Sequence, residues 1–178
     1  MKKKTVVLGV TAGIAIYKAC DILRRLQDAG LDVVVVMTEE AAKLINPIVF
    51  SSLSGNQVYS GLFDAPQEWE IGHVSLAKRA EVVLIAPATA NIIGKISGGI
   101  CDDLLTCVVC ATRAPVLIAP AMNEAMFENK VVQENISKLK KMGYKFIEPG
   151  VGRLACGDVG KGCLAAVETI IKEVKKTL

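Results

Sequence analysis

Aromatic residues make up only 4% of the 178-residue chain, with one tryptophan, and there is one histidine. With a single histidine and no second cysteine pair at ligand spacing, no zinc site is expected. The most apolar segment, 104–119, is broken by Arg113 and Pro115, too early for a bilayer span. No export signal is expected either: after the lysines at 2–4 comes TVVLGVTAG, which reads as a strand and a turn. The six cysteines are therefore expected to be reduced thiols in a cytoplasmic protein. Repeats, low-complexity tracts and linkers are absent. The net charge of +3, from 21 basic and 18 acidic residues, has its visible excess in the terminal lysines. Those clusters read as solvated ends, not as a nucleic-acid surface, and no membrane partner is expected.

What the chain does have is apolar residues, 52% of the total, mostly small or branched. A single domain of this length buries a substantial core. TVVLGV (5–10), DVVVVM (32–37), VVLIAP (82–87) and PVLIAP (115–120) are continuous runs, as in strands covered on both faces of a parallel sheet. Between them the period changes to that of helices. In 14–29, Ile16, Cys20, Leu23 and Leu26 share one side, with Lys18, Asp21, Arg25 and Asp28 opposite. A shorter strand at 144–149 and a helix at 164–177 follow, and 47–72 reads as a helix and then a loop carrying Phe63 and Trp69. The pattern predicts a doubly wound α/β fold, whose ligands sit beyond the carboxyl ends of the strands.

The residues after each run are therefore the informative ones. Gly9 and Gly13 flank a turn into a helix, which fits a phosphate or flavin site and equally a plain tight turn. Thr38, with Glu39 and Glu40 behind it, reads as a helix cap or as the acidic ribose site of a nicotinamide enzyme. Pro87 is expected to stop the third strand, after which Thr89 and Asn91 fit a capped turn or a phosphate cradle. Asn123 could hold a carboxylate or cap a helix. His73 is a surface or capping residue or, as the only side chain here that titrates unperturbed near neutrality, the first candidate for proton transfer. Cys107 and Cys110 lie in the helix-like run LLTCVVCATR and read as packing residues, and Asp102 and Asp103 as structural or interface residues. GRLACGDVGKGC (152–163) places Cys156 in a stretch too rich in glycine for a helix or a strand.

GVTAGIAIYK, VVMTEEA, FSSLSGN, GHVSL, APATANIIGK, GICDDLL, PAMNEAM and GRLACGDVG occur in this order over nearly the whole chain. The set resembles the flavin-dependent cysteine decarboxylases. The resemblance implies a Rossmann-like, flavodoxin-related subunit, residues 1–178, that binds FMN and assembles as a trimer or a multiple of trimers such as a dodecamer. Each active site would lie at a subunit contact. By position, Gly13, Ile14, Ala15, Thr38, Thr89, Ala90, Asn91, Ile92 and Ala121 would line the FMN. His73 would be the active-site base, Asn123 would grip the substrate carboxylate, and Cys156 would donate a proton from a clamp at about 150–163. A simple carboxylate resists losing CO2 because the electrons left behind have nowhere to go. The implied chemistry makes a sink by oxidising the cysteine side chain towards a thioaldehyde; CO2 leaves to give an enethiol, and hydride and proton are returned. A thiol with an ordinary pKa of about 8.5 is mostly protonated at neutral pH and can donate.

The implied substrate is 4′-phosphopantothenoylcysteine, converted to 4′-phosphopantetheine in coenzyme A biosynthesis, since LACG is usually lacking in relatives acting on ribosomal peptides. A peptidyl-cysteine decarboxylase, a flavin prenyltransferase and a non-catalytic regulatory flavoprotein remain as alternatives. The chain departs from the family pattern in three places. Ala12 precedes Gly13 where two glycines are common, Phe127 replaces a tryptophan, and Cys163 stands where bacterial relatives usually have arginine.

Overall fold

The computed structural model describes residues 3–62, 72–153, 155 and 157–178. Six strands form one parallel sheet: β1 (Thr5–Val10), β2 (Asp32–Met37), β3 (Val58–Tyr59), β4 (Val82–Ala88), β5 (Val116–Pro120) and β6 (Lys145–Phe146). Their order is β3-β2-β1-β4-β5-β6. From β1 the chain first builds outward to β2 and β3, then returns to the other side of β1 with β4. The direction reverses between β1 and β4, and a crevice opens beyond their carboxyl ends.

The helices cover both faces. On one side lie α1 (Tyr17–Asp28), α3 (Pro47–Ser54) and α9 (Val167–Thr177); on the other, α4 (Gly72–Arg79), α5 (Ala90–Gly98), α6 (Leu104–Ala111) and α8 (Lys130–Lys141). α2 (Glu39–Leu44) and α7 (Glu124–Glu128) are short pieces after β2 and β5. Alternate side chains of each strand feed the two cores: Val6, Leu8 and Val10 pack with Ile22, Leu23 and Leu26, whereas Val7 packs with Leu105 and Val108. The continuous apolar runs thus have their physical reason, because neither face of the sheet meets water. The doubly wound α/β architecture expected from the sequence is the one observed.

Local structure corrects four expectations. Pro87 does not end its strand: β4 continues to Ala88, with a cis Ala86–Pro87 bond and a register shift against β5 between Ile85 and Ala88. The helix expected from residue 14 opens as a 3-10 turn, Ile14–Ile16, before α1 begins at Tyr17. Beyond α3 lies the edge strand β3, too short for a period-2 signal; Phe63 and Trp69 fall outside the described residues. The stretch judged too rich in glycine for a strand forms an antiparallel pair, β7 (Gly150–Arg153) with β8 (Val159–Cys163). Backbone pairing needs no side chain, and here tight docking on a neighbouring loop favours the smallest residue. No helix among the described residues is long and apolar enough to cross a membrane.

At the amino ends of the strands, opposite the crevice, Asp32 ties three elements together. Its carboxylate accepts hydrogen bonds from Asn56 Nδ2 at 2.9 Å, the Arg79 guanidinium at 2.9 Å and Thr5 Oγ1 at 3.4 Å. Burial raises the carboxyl pKa, but the bonds from Asn56, Arg79 and Thr5 outweigh it and hold the group below its ordinary value. A carboxyl lowered in the folded state stabilises above its unfolded pKa, and that stability is lost as pH falls through the folded value. Asp32→Asn is therefore expected to cost about 1 kcal/mol at pH 7 and almost nothing at about pH 2. Thermal unfolding of both proteins across that range measures it, and a gap that does not shrink in acid contradicts the assignment.

Candidate functional site

The crevice is a cavity of about 550 Å³, within the range of small-molecule and cofactor sites. Its floor comes from the turn after β1, where Ala12, Gly13, Ile14 and Ala15 lead into Tyr17 and Lys18. Gly13 N–H donates to the Thr11 carbonyl at 2.9 Å and the Gly13 carbonyl accepts from Ile16 N–H at 2.9 Å, which closes the turn. Thr11, almost fully buried, joins this turn to the next strand end: its hydroxyl donates to the Pro87 carbonyl at 2.7 Å and accepts from Thr89 N–H at 3.2 Å. Ala12 keeps a negative φ, so the alanine in place of a second glycine is accommodated without strain.

A second wall is formed by Thr89 and Ala90 at the start of α5, and a third by Ala121, Met122, Asn123 and Met126 after β5. The hairpin supplies the last, through Arg153, Ala155, Gly162, Cys163 and Leu164. Lys18 and Arg153 are the charged residues among these, and no acid lines the cavity among the described residues. Small side chains leave room for a flat ring system against the strand ends, and the two cations favour an anionic ligand.

Three polar residues singled out at strand ends turn out to be helix caps. Thr38 Oγ1 accepts from Ala41 N–H at 3.2 Å, Thr89 Oγ1 from Ile92 N–H at 3.3 Å, and Asn123 Oδ1 from Ala125 N–H at 2.9 Å. For Thr89 and Asn123 capping and lining coincide: the cap holds each residue at the head of its helix, which is where the cavity lies. Gly13, Ile14, Ala15, Thr89, Ala90, Ala121 and Asn123 are thus brought together around one space. Thr38, Asn91, Ile92 and His73 do not line it. Ile92 points into the core with 1% exposure, Asn91 is exposed, and His73 lies half-buried at the second position of α4. Cys156 lies outside the described residues. Tyr17, Lys18, Met126 and Arg153 line the cavity although nothing in their spacing marked them.

Cys163 lines the cavity, whereas Cys101, Cys107 and Cys110 lie together away from it. Cys101 donates to the carbonyls of Gly99 and Thr106, and Cys107 to that of Cys101 at 3.4 Å. A hydrogen bond with Cys110, together with burial, pushes the Cys101 thiol up to about 11, and burial raises Cys107. These sulfurs stay protonated and are poor nucleophiles. No cluster of described histidine, cysteine or acidic side chains could hold a metal ion. Asp103 has a structural role, as the N-cap of α6 in a capping box with Thr106 and as a partner of Lys95 at 3.1 Å.

A sequence model of the flavoprotein family matches residues 1–178. A probable phosphopantothenoylcysteine decarboxylase of Streptococcus mutans is 42% identical over 177 residues, covering 98% of this chain and 99% of that protein. The bifunctional coenzyme A biosynthesis protein CoaBC of Bacillus subtilis is 46% identical over 99% of this chain, which spans only 43% of its length. The chain covers about two fifths of the length of the similar bifunctional proteins of Vibrio and Haemophilus. Among solved structures, a cysteine-to-serine mutant of a PPC decarboxylase, complexed with pantothenoylaminoethenethiol, superposes with a TM-score of 0.87 at 29% identity over 98% of both chains. The FMN binding protein AtHal3 does so with a TM-score of 0.83 at 31% identity, over 98% of this chain and 96% of that one.

Proposed function

The chain belongs to the flavoprotein family, and from that premise we propose that it is a cytoplasmic, FMN-dependent decarboxylase that converts 4′-phosphopantothenoylcysteine to 4′-phosphopantetheine. The observation that carries this reading is the cavity between the ends of β1, β4 and β5, walled by small residues and two cations and covered by the hairpin. FMN fits it: Ala12, Gly13, Ala15, Ala90 and Ala121 leave a broad apolar slot. The 3-10 turn from Ile14 and helix α5 from Ala90 each open with backbone N–H groups that have no partner within the helix. Bound there, FMN would supply a reversible two-electron acceptor beside the cysteine side chain of the substrate. Asn91, exposed in the first turn of α5, is kept in the cofactor-binding set in this proposal; Thr38, whose hydroxyl caps α2, and Ile92, whose side chain lies in the core and whose N–H is held by Thr89, are left out of it.

The chain's own residues then do four things. Lys18 and Arg153 draw the anionic substrate in and offset its charge. Asn123, fixed by its cap, holds the carboxylate that is to be lost. The hairpin at about 150–163 acts as the clamp that keeps water out, and Cys156, carried on it, delivers the proton that completes the product. His73 serves as the base. Within one protomer His73 stands away from the cavity, and this is reconciled by a trimer, or a multiple of trimers, in which it reaches the cavity of a neighbouring protomer. The cavity rim supports such a contact: Ile14 is 68% exposed, Tyr17 62% and Met126 49%, an apolar collar suited to a second copy.

Shared sites have a specific consequence. His73→Ala and Asn123→Ala proteins, each nearly inactive, should regain activity when mixed under conditions of subunit exchange, with about a quarter of the sites carrying both intact residues. CO2 release before and after mixing measures this; a mixture no more active than its parts would place His73 and Asn123 on one protomer or remove one from catalysis. The substrate is tested by offering phosphopantothenoylcysteine and a cysteine-ended peptide to one preparation and following product mass. Turnover of the peptide alone would overturn the small-molecule assignment.

A further inference from the structure

The hairpin β7–β8 is a separate two-stranded sheet, and its position over the cavity depends on what fastens it. Two backbone-directed bonds run to the loop after β5. Met122 N–H donates to the Gly162 carbonyl at 2.9 Å, and Lys161 N–H donates to Glu124 Oε1 at 2.7 Å. The Glu124 carboxylate lies flat against the strand, so that a Cβ on Gly160 would stand 2.4 Å from Oε2 and 2.5 Å from Cδ. The carboxylate occupies the place that a side chain at 160 would take. The Lys161 ammonium lies 5.2 Å from the centre of the Phe127 ring, on the helix that Glu124 opens.

We propose that Glu124 is a positioning residue: its carboxylate, seated over Gly160 and accepting the Lys161 N–H, latches strand β8 and fixes the hairpin wall relative to Asn123. The two residues are consecutive, so the turn that presents Asn123 to the cavity also carries the latch, and displacement of one moves the other. A side-chain oxygen that accepts a backbone N–H while its own group fills the space over Gly160 fixes the strand in both distance and register. The catalytic consequence rests on the function proposed above; the latch itself does not.

Glu124 is also the first residue of α7, where an acid is favoured by the helix dipole alone. The two roles demand different side chains. A latch needs the length and an acceptor oxygen, which Glu124→Gln keeps and Glu124→Asp loses; a dipole partner needs the charge, which Asp keeps and Gln loses. Amide hydrogen exchange on the FMN-loaded protein reads the difference directly. Exchange at 159–163 should rise about tenfold in Glu124→Ala and Glu124→Asp and stay near wild type in Glu124→Gln, with the main sheet unchanged. Gly160→Ala should produce the same rise by expelling the carboxylate, and adding Glu124→Ala to it should change nothing more. With phosphopantothenoylcysteine, the Ala and Asp variants should raise KM more than they lower kcat, and Gln should restore both. Protection retained by Asp and lost by Gln overturns the latch, as does unchanged exchange in Glu124→Ala or additive effects in the double variant. An inactive wild type with the expected exchange pattern would overturn the function and leave the latch standing.

Discussion

Gly162→Ala is expected to lower kcat/KM by about 100-fold or more while the main sheet stays folded. The alanine Cβ would stand 2.2 Å from the Met122 carbonyl oxygen, and the residue's φ of +144° is one that side chains rarely adopt. Since the obstacle is backbone, no rotamer change relieves it; β8 must lift, giving up the 2.9 Å bond from Met122 N–H. Gly162, Cys163 and Leu164 would leave the cavity wall together. A displacement of about 1 Å at a site that must hold substrate and exclude water costs about two orders of magnitude. Gly157→Ala is the control: its φ is also positive, +99°, but among the described residues nothing lies within 4 Å of the added carbon. It should cost about 1 kcal/mol of local strain and little catalysis. Steady-state kinetics with thermal unfolding tests the pair, and equal losses in both variants would show that backbone strain, rather than docking on Met122, is what matters.

Asn123→Asp carries the second large effect. Aspartate caps a helix as well as asparagine does, so the Ala125 N–H keeps an acceptor and α7 should remain in place. In the role proposed for Asn123, what changes is the charge facing the substrate carboxylate. Two like charges brought together in a water-poor site cost several kcal/mol, which corresponds to a fall of about a thousandfold in kcat/KM. FMN content and melting temperature should be nearly unaltered. Asn123→Ala separates the roles from the other direction, losing the cap, worth about 1 kcal/mol, as well as the amide. An aspartate variant that turns over like wild type would leave Asn123 a cap and nothing more.

The sheet was readable in the sequence because strands covered on both faces have nothing to alternate: β1 and β2 coincide with the apolar runs at 5–10 and 32–37 residue for residue. The crevice was readable at one remove, since the reversal between β1 and β4 puts Gly13, Thr89 and Asn123 at strand ends that converge. Contacts made by backbone were not readable. The hairpin owes its strands to register and docking rather than to side-chain pattern, and Gly160 and Gly162 reveal their purpose only when Glu124 and Met122 are seen against them. Periodicity puts Lys18 on the outer side of its helix, and it stands at the cavity rim because the helix begins there. His73 shows the opposite case: its motif marks it, yet it is not among the described residues that line the cavity.

Carbon–carbon cleavage in the proposed reaction depends on a flavin held between β1 and β4. The most direct test strips FMN from the purified protein, measures CO2 release from 4′-phosphopantothenoylcysteine, and repeats the measurement after FMN is restored. Activity that disappears with the flavin and returns in proportion to FMN bound is the expected result; stripped protein that decarboxylates as fast as the loaded form would contradict it.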